Sequence, residues 1–186
     1  MPVFSEETVK TDENDGASNP CGPYRALLFS DSGGLTQFGA FEEILPPSSS
    51  SSVKHWHEGE DEMVYVLQGE VTLQEGDDSI VMRPGEAATF KAGDPIGHCM
   101  QNLGTTDVRY LVIGTRSSGD VVTYPDHNRV LHFDRKTESR RWTDHTGSPA
   151  DSPYKTDNPT TPLAASKTSR IINHTNEPEP PILKPL

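Results

Sequence analysis

Residues 55–62 read His55-Trp56-His57-Glu58-Gly59-Glu60-Asp61-Glu62, and this stretch decides the fold. Two histidines separated by one residue have the period of a strand, so both imidazoles project from the same face of a pleated backbone. Helical metal sites place paired histidines four apart, and that reading fails here. Glu62 follows five positions after His57, and His98 comes later, four residues before Asn102. Three histidines and a carboxylate form a complete ligand set for one divalent ion such as iron, manganese, zinc or nickel.

Outward from this stretch the chain alternates short apolar runs with turn residues. Strands are expected at residues 24–29, 37–45, 53–57, 62–68, 71–75, 79–82, 87–90, 97–102 and 108–114. Turns are expected at Asp31-Ser32-Gly33-Gly34, Gln68-Gly69, Gly76-Asp77-Asp78 and Pro84-Gly85, and the serines after Pro46-Pro47 read as a loop. Many short strands without an amphipathic helix predict an all-β sandwich or barrel. The metal motif is not repeated, so the chain holds one such unit.

The pattern resembles the cupin superfamily. His55-x-His57, Glu62 and Gly69 match its first motif, and Gly85, Gly93, His98 and Asn102 match its second. Ser49 stands where the first motif has a glycine, Lys91 replaces the second motif's proline, and Asp94-Pro95-Ile96-Gly97 lengthens the approach to His98. These departures touch turns and the rim and leave the four ligand types intact. Gly119-Asp120 and Tyr124-Pro125-Asp126 are similar to a subgroup of small single-domain cupins, loosely sugar-isomerase-like. The resemblance implies a double-stranded β-helix (jelly-roll) barrel, metal ligands His55, His57, Glu62 and His98, and a homodimer.

The expected organisation is a disordered arm at 1–22, the barrel at 23–116, an extension at 117–155 packed on the barrel or a partner subunit, and a Pro/Thr/Ser-rich tail at 156–186. Low hydrophobic content (32%) with 16 prolines agrees with irregular extensions. A net charge of −12 argues against nucleic acid or anionic membrane as partner. Two cysteines make no disulfide framework. The polar N-terminus carries no secretory pattern, and no run reaches the roughly 20 apolar residues of a membrane span, so a cytoplasmic protein is expected. The sequon at Asn173-His174-Thr175 is read as chance.

Strand alternation sorts the side chains. With His55, His57, Glu62 and His98 inward, Val64, Val66, Met100 and Asn102 share their face, while Tyr65 and Cys99 do not. Val64, Val66, Met82, Phe90, Met100 and Asn102 are the expected substrate wall, suited to a small, partly apolar ligand. Glu58, Glu60 and Asp61 read as an acidic rim that would repel an anion. Tyr110 and Glu60 are the candidate acid/base groups. A bound ion would acidify water or polarise a carbonyl, and a redox-active one could bind dioxygen. Three functions remain open: a non-redox isomerase, dehydratase or lyase acting on a small oxygenated metabolite, a non-haem iron dioxygenase or oxidase, and a non-catalytic small-molecule-binding module.

Overall fold

A computed structural model describes residues 2–17 and 19–154. The tail at 156–186 and the Asn173 sequon lie outside the described residues. Thirteen strands, one short α-helix and a 3-10 turn at Pro125–His127 are present among the described residues: Thr11–Asn14 (β1), Tyr24–Leu27 (β2), Phe29–Gly33 (α1), Phe38–Leu45 (β3), Trp56–His57 (β4), Glu62–Gln68 (β5), Val71–Glu75 (β6), Asp78–Met82 (β7), Ala87–Phe90 (β8), His98–Gln101 (β9), Val108–Thr115 (β10), Gly119–Tyr124 (β11), Arg129–Asp134 (β12) and Ser139–Thr143 (β13). None of the described helices is long and apolar enough to cross a membrane.

One sheet runs β1-β2-β3-β10-β5-β8, a second β7-β6-β9, and a third β13-β12-β11-β4. The antiparallel bridge His55↔His98 links the last two into one curved layer, so the metal motif sits on the seam of the second wall. Val64, Val66, Val108 and Tyr110 from the first layer pack with Val71, Leu73, Met82 and Met100 from the second in one buried core. This is the jelly-roll that the family resemblance implies, within the all-β class expected from the strand pattern.

Register fixes what faces inward. β10 pairs Tyr110 with Glu43, Val112 with Phe41 and Gly114 with Gly39 on one side. On the other it pairs Tyr110 with Val66, Val112 with Val64 and Gly114 with Glu62. Three inward rows result: Glu43–Tyr110–Val66, then Phe41–Val112–Val64, then Gly39–Gly114–Glu62. The glycines of the last row leave room beside the Glu62 side chain. Gly69 closes the β5–β6 turn at φ +79°, where a Cβ would lie 3.1 Å from the Asp107 carbonyl oxygen.

Three expectations need correction. Within the arm, Thr11–Asn14 is a strand antiparallel to β2, and Glu6 pairs with Arg25 and Arg109. An edge strand takes its order from backbone pairing and needs no apolar face, so its polar sequence concealed it. The turn at 31–34 ends a one-turn helix closed by Gly34 at φ 67°. The 117–154 extension is regular: β11, β12 and β13 pair in sequence and β11 pairs β4, so they continue the second wall. They enclose their own core of Cys21, Val122, Tyr124, Leu131, Phe133, Trp142 and Tyr154.

Candidate metal centre and cavity

His55, Glu62 and His98 bring one ligand atom each within 4.8 Å of one another. The Nε2 atoms of His57 and His98 each stand 3.9 Å from Glu62 Oε2. That spacing is too long for a direct hydrogen bond. It lies within the roughly 4.2 Å that two ligands of one ion can span at about 2.1 Å each. Neither ring nitrogen of His98 has a hydrogen-bond partner among the described residues, although both are buried. Its ring stacks on Phe90 at 3.6 Å between centroids. A buried imidazole without partners is costly unless something else engages it, and a divalent cation would. The donor set therefore fits an ion.

The surroundings prepare these groups as ligands. Burial, with His57 and His98 nearby, pushes His55 down to about 3, so its imidazole is neutral. Its Nδ1 lies 3.0 Å from Ser52 Oγ and 3.1 Å from the Val53 carbonyl, leaving Nε2 for the centre. Burial would raise Glu62, but His98, His57 and His55 outweigh it and hold the carboxyl down at about 2. Metal ligands are needed in these forms, neutral imidazole and ionised carboxylate.

Asp120 orients His57. Its Oδ2 lies 2.5 Å from His57 Nδ1, and its Oδ1 accepts the Gly59 amide at 2.9 Å. A carboxylate on one imidazole nitrogen fixes the tautomer that presents the other to a metal. Burial works against a proton on His57, yet Asp120, Glu62 and Glu60 outweigh it and raise its pKa. Asp120 was noticed in the sequence only as part of Gly119-Asp120; its contact spans 63 positions and leaves no local signal.

Glu60, His57 and Asp120 form a second close group of ligand-type atoms. Arg135 sits 2.8 Å from Glu60 Oε1, which also accepts the Ser117 amide and hydroxyl, both at 2.8 Å. A guanidinium at that distance opposes a cation. Glu60 is thus no part of an exposed rim: it is buried, anchors the 115–119 turn and lines an opening with His57, Glu62 and His98. Glu58 and Asp61 do remain exposed.

Behind the histidines lies a cavity of about 70 Å³, lined by residues of both layers. Val64 and Met100 line it as expected. Val66 and Met82 lie in the core instead, and Phe90, stacked on His98, lines a second opening with His57, Glu62 and His98. Asn102 is a strand-end clamp: its amide donates to the carbonyls of Leu45 and Thr106 at 2.7 and 2.9 Å. The extension supplies Val122, Tyr124, Leu131 and Tyr154 to the wall. The expected wall lacked these four because the extension was read as lying outside the barrel.

Glu43 is the residue sequence reading missed. It lines the cavity, is 2% exposed, and accepts the Tyr110 hydroxyl at 2.6 Å through Oε2. Strand parity with Phe41 and Leu45 places it inward and could have revealed it. Burial pushes its carboxyl up to about 8, with the charges of Glu62 and Asp12 adding to the rise and the Tyr110 hydrogen bond opposing it. The folded state therefore holds this proton more tightly than the unfolded chain. The stabilisation is complete below the unfolded value near 4.5 and is lost as pH climbs through about 8. Glu43→Gln should flatten the fall in urea midpoint between pH 5 and pH 8; a slope as steep as wild type would refute a neutral Glu43.

Comparison with known proteins agrees with this geometry. Residues 41–114 match the family model for the cupin domain. The cupin-superfamily sugar phosphate isomerase of Silicibacter pomeroyi superposes with a TM-score of 0.73 at 29% identity, covering 81% of this chain and 97% of that one. A candidate sugar phosphate isomerase of Acidithiobacillus ferrooxidans gives 0.70 at 26% identity, covering 81% and 96%. The oxalate-binding protein of Thermotoga maritima is 33% identical over 69 residues, 37% of this chain, and the chain spans only 54% of that relative's length. Family match over residues 41–114, jelly-roll layers and the histidine–glutamate cluster together identify a cupin domain within this chain.

Proposed function

We propose that the protein is a metal-dependent enzyme of non-redox chemistry, an isomerase, dehydratase or lyase acting on a small oxygenated metabolite. The observation that carries this reading is His98, buried with both nitrogens unpartnered, beside an ionised Glu62 and the neutral His55. A divalent ion held by His55, His57, Glu62 and His98 supplies Lewis acidity toward substrate oxygens. Asp120 keeps His57 in its ligand tautomer, the apolar wall excludes water, and Glu43 with Tyr110 provides a proton-bearing pair on the same cavity. Proton movement beside a polarised carbonyl is what isomerases and lyases require. The names of the two similar structures support isomerase chemistry. The cavity behind the histidines has no lysine or arginine among the described residues that line it, whereas Lys91 lines a second opening with His57, Glu62 and His98.

Untagged protein from medium supplied with several metals should contain about one zinc, manganese or nickel ion per chain. Absence of metal even after reconstitution would refute the reading. Stoichiometric iron with substrate-dependent oxygen uptake would transfer it to the dioxygenase class. A homodimer in the cytoplasm is proposed with it; a monomeric mass by light scattering would remove the dimer.

A further inference from the structure

The cavity is stratified along β10. At one end stands Glu62 with the histidines; four residues further along β10 stands Tyr110 with Glu43; Phe41, Val64 and Val112 lie between. Four residues of strand span about 13 Å of backbone. At the far end the Tyr110 hydroxyl donates to Glu43 Oε2 at 2.6 Å, and Ser51, whose Oγ accepts the Met100 amide at 3.0 Å, lines the same wall. Oε2 is therefore taken as an acceptor, and Oε1 is buried without a partner. A neutral carboxyl group bonded in this way carries its hydrogen on Oε1. An unmet buried donor costs about 1–3 kcal/mol, which an acceptor on a ligand would recover.

We propose that Glu43 and Tyr110 form a second ligand-binding subsite that hydrogen-bonds an uncharged carbonyl oxygen at the end of the substrate remote from the metal. The substrate class is a short oxo compound with a metal-chelating head, a few apolar carbons and a neutral distal carbonyl. A distal phosphate or carboxylate is rejected, since no cation faces that end and a second anion would meet a buried acid among apolar walls. This inference rests on the metal-centre reading and extends it to substrate class.

The test uses full-length protein loaded with cobalt(II), whose visible absorption reports both occupancy and ligand binding. Two matched pairs serve as probes: 2,4-dioxopentanoate against 2-oxopentanoate, and 2,5-dioxohexanoate against 2-oxohexanoate. Within a pair only the distal oxygen differs. At least one dioxo acid should bind about tenfold more tightly than its partner, as a single well-placed hydrogen bond from a buried donor allows. Glu43→Gln keeps a donor beside an acceptor and should retain the preference. Glu43→Leu should abolish it, and Tyr110→Phe, which frees Oε2 and disorders the donor, should reduce it severalfold. Failure to take up cobalt would overturn the metal centre and this proposal together. Normal cobalt uptake with equal affinities in both pairs, or a preference that survives Glu43→Leu, would overturn the subsite alone. Should Glu43→Leu not fold, a preference unchanged by Tyr110→Phe and lost in Glu43→Gln would do the same.

Discussion

Alanine at position 98 is expected to strip the protein of most of its divalent metal while the barrel keeps its fold. The two bonds that join the two sheets of the second wall at this point are backbone bonds: His55 N–H to the His98 carbonyl at 3.1 Å, and His98 N–H to the His55 carbonyl at 2.9 Å. Alanine retains both. What it loses is the stack on Phe90, a contribution of about 0.5–1.5 kcal/mol for an aromatic pair, small against a domain's 5–15 kcal/mol. Removal of a direct ligand should weaken metal binding by more than the 10–100-fold expected for an orienting partner. Asp120→Asn gives the comparison. It can still accept the His57 Nδ1 proton but carries no charge, so its loss should fall within that 10–100-fold range. Elemental analysis and competitive chelator titration of both variants would check the order. Wild-type metal content in His98→Ala would refute the site, and equal losses in the two variants would show that His98 is no more than an orienting residue.

The metal motif was legible because strand chemistry is local. The spacing of His55 and His57 gave a common face, and the same parity correctly turned Val64 and Val66 inward and Tyr65 outward. Cys99 is likewise absent from the cavity wall. Glu43 obeys the same rule within Phe41-Glu42-Glu43-Ile44-Leu45, yet an acidic pair in a strand invites a surface reading. Parity with Phe41 and Leu45 points to Glu43 as the inward one, and burial and the Tyr110 partner across the register agree. Asp120 and Arg135 could not be found locally, because each acts on residues some 60 or more positions away. β12 and β13 hide their apolar residues among charged ones, as in Ser139-Arg140-Arg141-Trp142-Thr143, where only Trp142 and Thr143 are buried. Their turns use Asn128 and Glu138 at positive φ, and glutamate there carries no turn signature in sequence.

Those last strands carry the second large expectation: a chain ending at residue 116, the boundary suggested by composition, should not fold. The missing segment holds Val122, Tyr124, Leu131, Phe133, Trp142 and Tyr154, all buried in one cluster. At roughly 1.5–3 kcal/mol for each large side chain removed from water, their loss is on the order of 10 kcal/mol, comparable with the whole stability of a domain. The truncation also unpairs β4, which carries His57, and removes both Asp120 and the Arg135 partner of buried Glu60. A buried carboxylate left without its cation adds to the destabilisation. The point substitution Leu131→Ala samples the same interface and should lower stability by about 2–5 kcal/mol in urea unfolding, since Leu131 is 1% exposed and lines the cavity wall. A cooperative urea transition and bound metal in the 1–116 chain would mean that the strands are an appendage. Aggregation of that chain, with a destabilised but folded Leu131→Ala, would mean that the barrel is built from both the motif-bearing strands and the extension. In that case the cavity wall lies partly outside the 41–114 segment that matches the family.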